Sequence, residues 1–155
     1  MWPFFADTFY WIVLLSRHDA WHERVTAFNH TLLREDLFLT TDAIILEFLA
    51  AFSGAGPYLR QQAVAHVEAM LLNPYIRVIE ATRAQLLDGL ALYTNRPDKE
   101  YSHTDCISMQ VMRREGLTEI LSGNWASRAW RNGVSTRIGK IKHIFPCDFT
   151  PTVGA

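Results

Sequence analysis

The sequence of 155 residues lacks the features of several large protein classes. It has two cysteines, Cys106 and Cys147, too few for a disulfide framework, which indicates a reducing compartment. The apolar run from Thr8 to Ser16 is far shorter than the roughly 20 residues of a membrane span. Because no basic segment precedes an apolar one near the N-terminus, we also expect no signal peptide. The sequence therefore predicts a cytoplasmic protein without membrane contact.

Several catalytic and binding motifs are also missing. No serine has the G-x-S-x-G context of a hydrolase nucleophile. The stretch "SGAGP" at positions 53–57 lacks the Lys and Ser/Thr of a phosphate-binding loop. The two cysteines lie far apart, with no histidine at zinc-ligand spacing. The sequence thus gives no support for a serine hydrolase, a P-loop nucleotide enzyme or a structural zinc site.

Excess positive charge is absent from most of the chain. Residues 1–124 carry 10 Lys and Arg against 15 Asp and Glu, whereas residues 125–155 carry 5 against 1. The apolar fraction of 49% and the charged fraction of 20% are typical of a globular domain. A body with a net charge of −5 cannot bind nucleic acid through bulk charge alone. Any phosphate chemistry on it would require a cation.

What the sequence does contain is an alternation of short apolar runs and helical patterns. This predicts an α/β domain in which helices cover both faces of a central parallel sheet. The carboxyl ends of parallel strands share one edge, where binding sites lie. The predicted strands are 2–6, 37–41, 76–81 and 117–122; the predicted helices start near Thr8, Trp21, Thr41, Pro57, Thr82 and His103, and the last ends at Gly116.

Three carboxylates stand at or near the starts of these helices. Asp7 follows the first strand and could cap the next helix or bind a metal. Glu47 lies within "AIILEFLAAF", where it either points to solvent or, if buried, needs a cation, a donor or a water-filled cleft. Asp105 forms an S-x-x-D capping box with Ser102, or serves as a ligand. Three oxygen ligands at one sheet edge would suit Mg²⁺ or Mn²⁺.

The chain resembles the PIN-domain family, and in particular its VapC-like toxin ribonucleases. The resemblance covers about residues 2–122. It is carried by the stretches "FADTFYWIVLLSRHDAWHERV", "LTTDAIILEFLAAFSG" and "RPDKEYSHTDCISMQVMRREGLTEIL". The most specific parts are Asp-Thr after the first strand, a Glu within an apolar helix, and S-x-T-D-C-I-S before a helix.

This resemblance implies a three-layer α/β/α domain over residues 1–122, with a parallel sheet of about four or five strands. It implies hydrolysis of RNA phosphodiester bonds with Mg²⁺ or Mn²⁺, an antitoxin partner and a homodimer. Asp7, Glu47 and Asp105 match the acidic cluster of the family, with Thr8 and Ser102 in supporting positions.

The chain departs from the family after "GLTEIL". Asn124 stands where the family has a fourth acidic residue, which predicts a weakened second metal site. Residues 123–155 form an atypical tail, and we interpret it as a reading-frame shift or as natural divergence. A second hypothesis follows, in which the chain is a weak or inactive PIN-like module that binds RNA or a protein.

Overall fold

A computed structural model describes residues 4–31, 36–117 and 119–122. The predicted alternation of strands and helices is confirmed there, and all four strands are parallel. In chain order the elements are β1 Phe4–Ala6, α1 Thr8–Leu15, α2 His22–Thr31, β2 Phe38–Thr41, α3 Asp42–Ala51, α4 Pro57–Leu72, β3 Ile76–Ile79, α5 Arg83–Asn95, α6 His103–Glu115 and β4 Ile120–Leu121.

The strands lie in the order β3-β2-β1-β4. The chain moves outward from β1 to β2 to β3, and then returns across the sheet to β4 on the other side of β1. Because parallel crossovers are right-handed, the outward and returning connections lie on opposite faces. Helices α1 to α4 therefore cover one face, and α5 and α6 cover the other, which is the predicted α/β/α arrangement.

Local sequence sets the ends of the helices. Thr41 caps α3 by accepting a hydrogen bond from the backbone N–H of Ile44 at 3.2 Å. Thr82 and Ser102 both form capping boxes, at the starts of α5 and α6. Gly116 ends α6 at a φ of 68°, a left-handed conformation that favours glycine. The predicted boundaries at these residues are confirmed.

The hydrophobic core lies between β1 and the helices around it. Phe5 and Ala6 of β1 are fully buried, as are Val13 of α1 and Met112 of α6. Cys106 is also fully buried, as predicted for a small core residue. This packing fixes the carboxyl end of β1 and the start of α6, the two places that carry the predicted carboxylates.

Some predictions lie outside the described residues. These are residues 2–3 of the predicted first strand, residue 118 of the predicted fourth strand, and the whole tail at 123–155, including Asn124 and Cys147. Within the described ranges, no helix combines the length and apolar character that crossing a membrane demands.

Candidate metal centre

Asp7 lies at the carboxyl end of β1, the strand between β2 and β4. The strand order reverses at this point of the sheet. It follows β1 and caps α1, and only 3% of it is exposed. Its Oδ1 accepts a hydrogen bond from the backbone N–H of Thr8 at 2.9 Å, and its Oδ2 accepts one from the Ser122 hydroxyl at 2.9 Å. The carboxylate is therefore held in one orientation, between β1 and the end of β4.

Burial raises the pKa of Asp7 to about 6. The two hydrogen bonds oppose this rise because they stabilise the charged form, while the negative charge of Glu47 adds to it. The surroundings of Asp7 thus disfavour its ionised form, and a bound cation would stabilise that form.

Asp105 lies in the first turn of α6, with 4% of it exposed. Its backbone N–H donates to the Ser102 hydroxyl at 3.1 Å, and its Oδ2 accepts from the backbone N–H of Ser102 at 2.5 Å. Its other oxygen, Oδ1, is buried and has no hydrogen-bond partner among the described residues. The cap therefore occupies one carboxylate oxygen and leaves the other for a ligand.

The pKa of Asp105 is raised to about 7. Burial is the largest cause, and the charges of Asp7 and Glu47 raise it further, while the hydrogen bonds from Ser102 lower it. The charges of the three carboxylates therefore act on one another. The structure brings the three predicted residues into one electrostatic group, as the shared sheet edge predicts.

Glu47 lies at the border between core and solvent on α3. Its side chain is partly buried; Leu46 before it is 67% exposed, and Phe48 after it is 1% exposed. The Thr8 hydroxyl donates a hydrogen bond to Glu47 Oε2. Glu47 thus has the donor that a carboxylate in an apolar helix requires, and this donor, Thr8, directly follows Asp7 in the chain.

The donor set fits a hard divalent cation, although the described residues do not form a closed cage. No group of three His, Cys, Asp or Glu side chains among them is close enough together to hold a metal ion by itself. Mg²⁺ is commonly bound through one or two carboxylates and keeps several waters. Asp105 Oδ1, buried and without a partner, and the mutual repulsion of the carboxylates are the observations that fit such an ion.

Ser122 was not predicted as a site residue. It follows β4 as Asp7 follows β1, so the rule that selected Asp7, a polar residue directly after a strand, applies to it as well. Thr40 was missed too. It is fully buried, and its hydroxyl donates to the carbonyl of Ala6 at 3.0 Å, which ties the ends of β1 and β2 together.

An open groove of about 750 Å³ begins beside Glu47. Helices α3, α5 and α6 form its walls, and Arg83 contributes a positive charge. The apolar side chains along it are Leu46, Ala50, Leu86 and Ile107. Of the three predicted carboxylates, Glu47 lines the groove, and Asp42 adds a second negative charge to it.

Asp98, in the loop between α5 and α6, pairs with Arg96. Two hydrogen bonds of 3.0 and 3.2 Å join them. The pKa of Asp98 is lowered by the hydrogen bond from Arg96, the opposite of the effect on Asp7 and Asp105. This contrast separates an ordinary surface carboxylate from the two buried ones.

Comparison with known proteins supports the fold. No family model and no curated protein matches the chain. Among solved structures, it is similar to VapC20 of Mycobacterium tuberculosis, a sarcin-ricin loop cleaving toxin, with a TM-score of 0.70 and 21% identity over 82% of this chain and 97% of that one. It is also similar to FitAcB from Neisseria gonorrhoeae, with a TM-score of 0.56 and 17% identity over 78% and 88%.

Structural similarity at this low sequence identity shows the fold alone. The four-stranded parallel sheet with its covering helices agrees with that fold. The fold predicted from the sequence is therefore confirmed: this chain has the fold of a VapC-like PIN domain.

Proposed function

We propose that this chain is a metal-dependent endoribonuclease and the toxin of a toxin–antitoxin pair. The observation that carries the proposal is the pair of buried carboxylates, Asp7 and Asp105. Asp7 follows β1 at the carboxyl edge of the sheet and Asp105 lies in the first turn of α6; the charged forms of both are destabilised by burial and by neighbouring negative charge. Such an arrangement is costly without a cation.

Asp7 and Asp105 would hold Mg²⁺ or Mn²⁺, and Glu47 would contribute through water. Bound there, the ion would supply charge neutralisation at the scissile phosphate and a water activated for attack. The neighbouring residues fix the ligands. Thr8 N–H and Ser122 orient Asp7, and the Ser102 N–H holds one oxygen of Asp105.

Glu47 has a different role in this proposal. The hydrogen bond from Thr8 occupies its Oε2, so that Oε1 is left to orient a water or to accept its proton. The open groove that Glu47 lines is where an extended substrate would lie. In this proposal the substrate is RNA, and a phosphate of the strand in the groove would come close to Glu47 and to the cation beside it.

The solved structures support the biological setting. VapC20 cleaves the sarcin-ricin loop, so an RNA of that sequence is the first substrate to test on this chain. As part of the proposal, the chain acts in the cytoplasm, forms a homodimer, and is held inactive by a cognate antitoxin.

The test is an RNA cleavage assay with Mg²⁺, Mn²⁺ or EDTA. The wild type is compared with Asp7→Asn and Asp105→Asn, and Asp98→Asn serves as a control that changes an exposed carboxylate. We expect cleavage with either metal, none with EDTA, a loss of at least about 100-fold in each site variant, and full activity in the control.

Cleavage that survives both site substitutions would contradict the metal assignment. Absence of metal-dependent cleavage of any RNA tested, while the protein is folded, would favour the second hypothesis of a binding module. An RNA-binding measurement with the same variants would then decide whether Asp7 and Asp105 take part in RNA binding.

A further inference from the structure

The first turn of α6, which carries Asp105, packs against α5 at a glycine. Gln85 and Gly89 are the buried residues of α5, and their spacing of four places them on one face of the helix. That face meets α6. The position of Asp105 relative to Asp7 therefore depends on how closely α5 and α6 approach each other.

The space at Gly89 is fully used. A Cβ added there would lie 2.7 Å from Ile107 Cγ1, 3.2 Å from the backbone nitrogen of Ile107 and 3.2 Å from His103 Nε2. Carbon atoms in contact are normally about 3.5–4.0 Å apart, so Ile107 Cγ1 would have to move by close to 1 Å. Because the nitrogen of Ile107 is backbone, a change of side-chain rotamer would not relieve its 3.2 Å contact, and the two helices would also have to separate by a few tenths of an ångström.

A hydrogen bond anchors the same turn. His103, the first residue of α6, has its Nε2 3.0 Å from the carbonyl oxygen of Leu86, so this nitrogen is the donor. Leu86 lies one turn before Gly89 on α5. The start of α6 is thus tied to α5 by one polar contact and one close backbone approach, both within two residues of Asp105.

We propose that Gly89 is a positioning residue that sets where α6 presents the Asp105 carboxylate to Asp7. Glycine in the middle of a helix is disfavoured relative to alanine, and the close approach to Ile107 gives the physical reason for its presence here. The proposal rests on the metal-dependent function proposed above, because its consequence is a change in metal affinity. Ligands of a functional site must be held to within about 0.5 Å, so a displacement of a few tenths of an ångström is enough to weaken it.

A double-mutant cycle on the full chain tests this. The proteins are the wild type, Gly89→Ala, Ile107→Ala and the double variant, in which the clashing Cγ1 is gone. Gly54→Ala is the matched control, because a Cβ at Gly54 meets nothing within 4 Å. The measured quantity is the affinity for Mn²⁺, which is obtained from the electron paramagnetic resonance signal of the Mn²⁺ that stays free in solution.

We expect Gly89→Ala to weaken Mn²⁺ binding about tenfold or more, as loss of an outer partner does in metal sites. Gly54→Ala should bind Mn²⁺ as the wild type does. The loss of affinity caused by Gly89→Ala should be smaller in the Ile107→Ala background than in the wild-type background. Unchanged affinity in Gly89→Ala, or no recovery in the double variant, would overturn the proposal. If Gly89→Ala does not fold, the double variant is compared with Ile107→Ala: it should still bind Mn²⁺ more weakly, because the contacts with Ile107 N and His103 Nε2 remain, and equal affinity would overturn the proposal.

A second measurement separates this inference from the proposed function. Amide hydrogen exchange of Asp105 and Cys106, whose N–H groups bond to the Ser102 hydroxyl and carbonyl at 3.1 Å each, reports on the first turn of α6. Gly89→Ala should exchange faster at these amides than Gly54→Ala does. If the wild type binds no Mn²⁺, the proposed function fails, and the exchange result still shows whether Gly89 holds this turn.

Discussion

Replacement of Asp105 by asparagine in the metal-free protein should raise stability at alkaline pH. Asparagine keeps the shape of the side chain, and its oxygen can still accept the hydrogen bond from Ser102. It removes a charge that burial and the carboxylates of Asp7 and Glu47 destabilise. The substitution therefore removes the feature that makes the site costly in the absence of a cation.

The magnitude follows from the pKa of Asp105, which is raised from its ordinary value of 3.8 to about 7. At about 1.36 kcal/mol for each pH unit, this difference corresponds to ~4 kcal/mol. An acid whose pKa is higher when folded stabilises the fold fully below pH 3.8, and this contribution is lost as pH rises through 7. The wild type should thus lose ~4 kcal/mol relative to Asp105→Asn between about pH 4 and pH 8.

The assay is urea unfolding of both proteins at several pH values, without metal and with EDTA present. Any cost of burying the asparagine amide is independent of pH, so the change in the difference, rather than its value at one pH, is the quantity to measure. In thermal unfolding the same change corresponds to roughly 8–16 °C for a domain of this size. Asp98→Asn is the control, and its effect should have the opposite sign because Arg96 lowers the pKa of Asp98.

Parallel stability curves for the wild type and Asp105→Asn from pH 4 to pH 8 would refute the reasoning. They would show that the folded and unfolded pKa values of Asp105 are the same, and the physical case for a cation at this carboxylate would disappear. Addition of Mg²⁺ or Mn²⁺ gives a second check, since binding to the folded state should stabilise the wild type at pH 8 and not the variant.

Three further predictions concern single contacts. Ser122→Ala should raise the pKa of Asp7 above about 6, since it removes a hydrogen bond that favours the charged form, and carbon NMR of the Asp7 carboxyl would detect the change. In a Cys147→Ser background, Cys106 should resist thiol reagents in the folded protein and react on unfolding, because burial raises its pKa to about 11; rapid labelling without denaturant would contradict this. Gly116→Ala should lower the free energy of unfolding by about 1 kcal/mol in urea titrations, because Gly116 has a positive φ; an unchanged midpoint would contradict the assigned helix end.

Much of the architecture could be predicted from the sequence because its signals are local. Thr82 and Ser102 open their helices with capping boxes that depend on residues three positions away, and Gly116 ends α6 because of its own backbone freedom. The alternation of strands and helices then favours a parallel sheet, which fixes the edge at which Asp7 would lie. The same logic predicts that the helix starts near Asp7 and Asp105 converge on this edge.

The tertiary structure decided what depends on contacts between distant residues. The sequence left open whether Asp105 is a cap or a ligand; in the folded chain one oxygen serves the cap and the other is buried without a described partner. It also left open whether Glu47 faces solvent, whereas the fold gives it a donor, Thr8. The bond between Ser122 and Asp7 spans nearly the whole described chain. No local pattern contains such contacts, because they exist only after β1 and β4 have paired and the helices have packed around them.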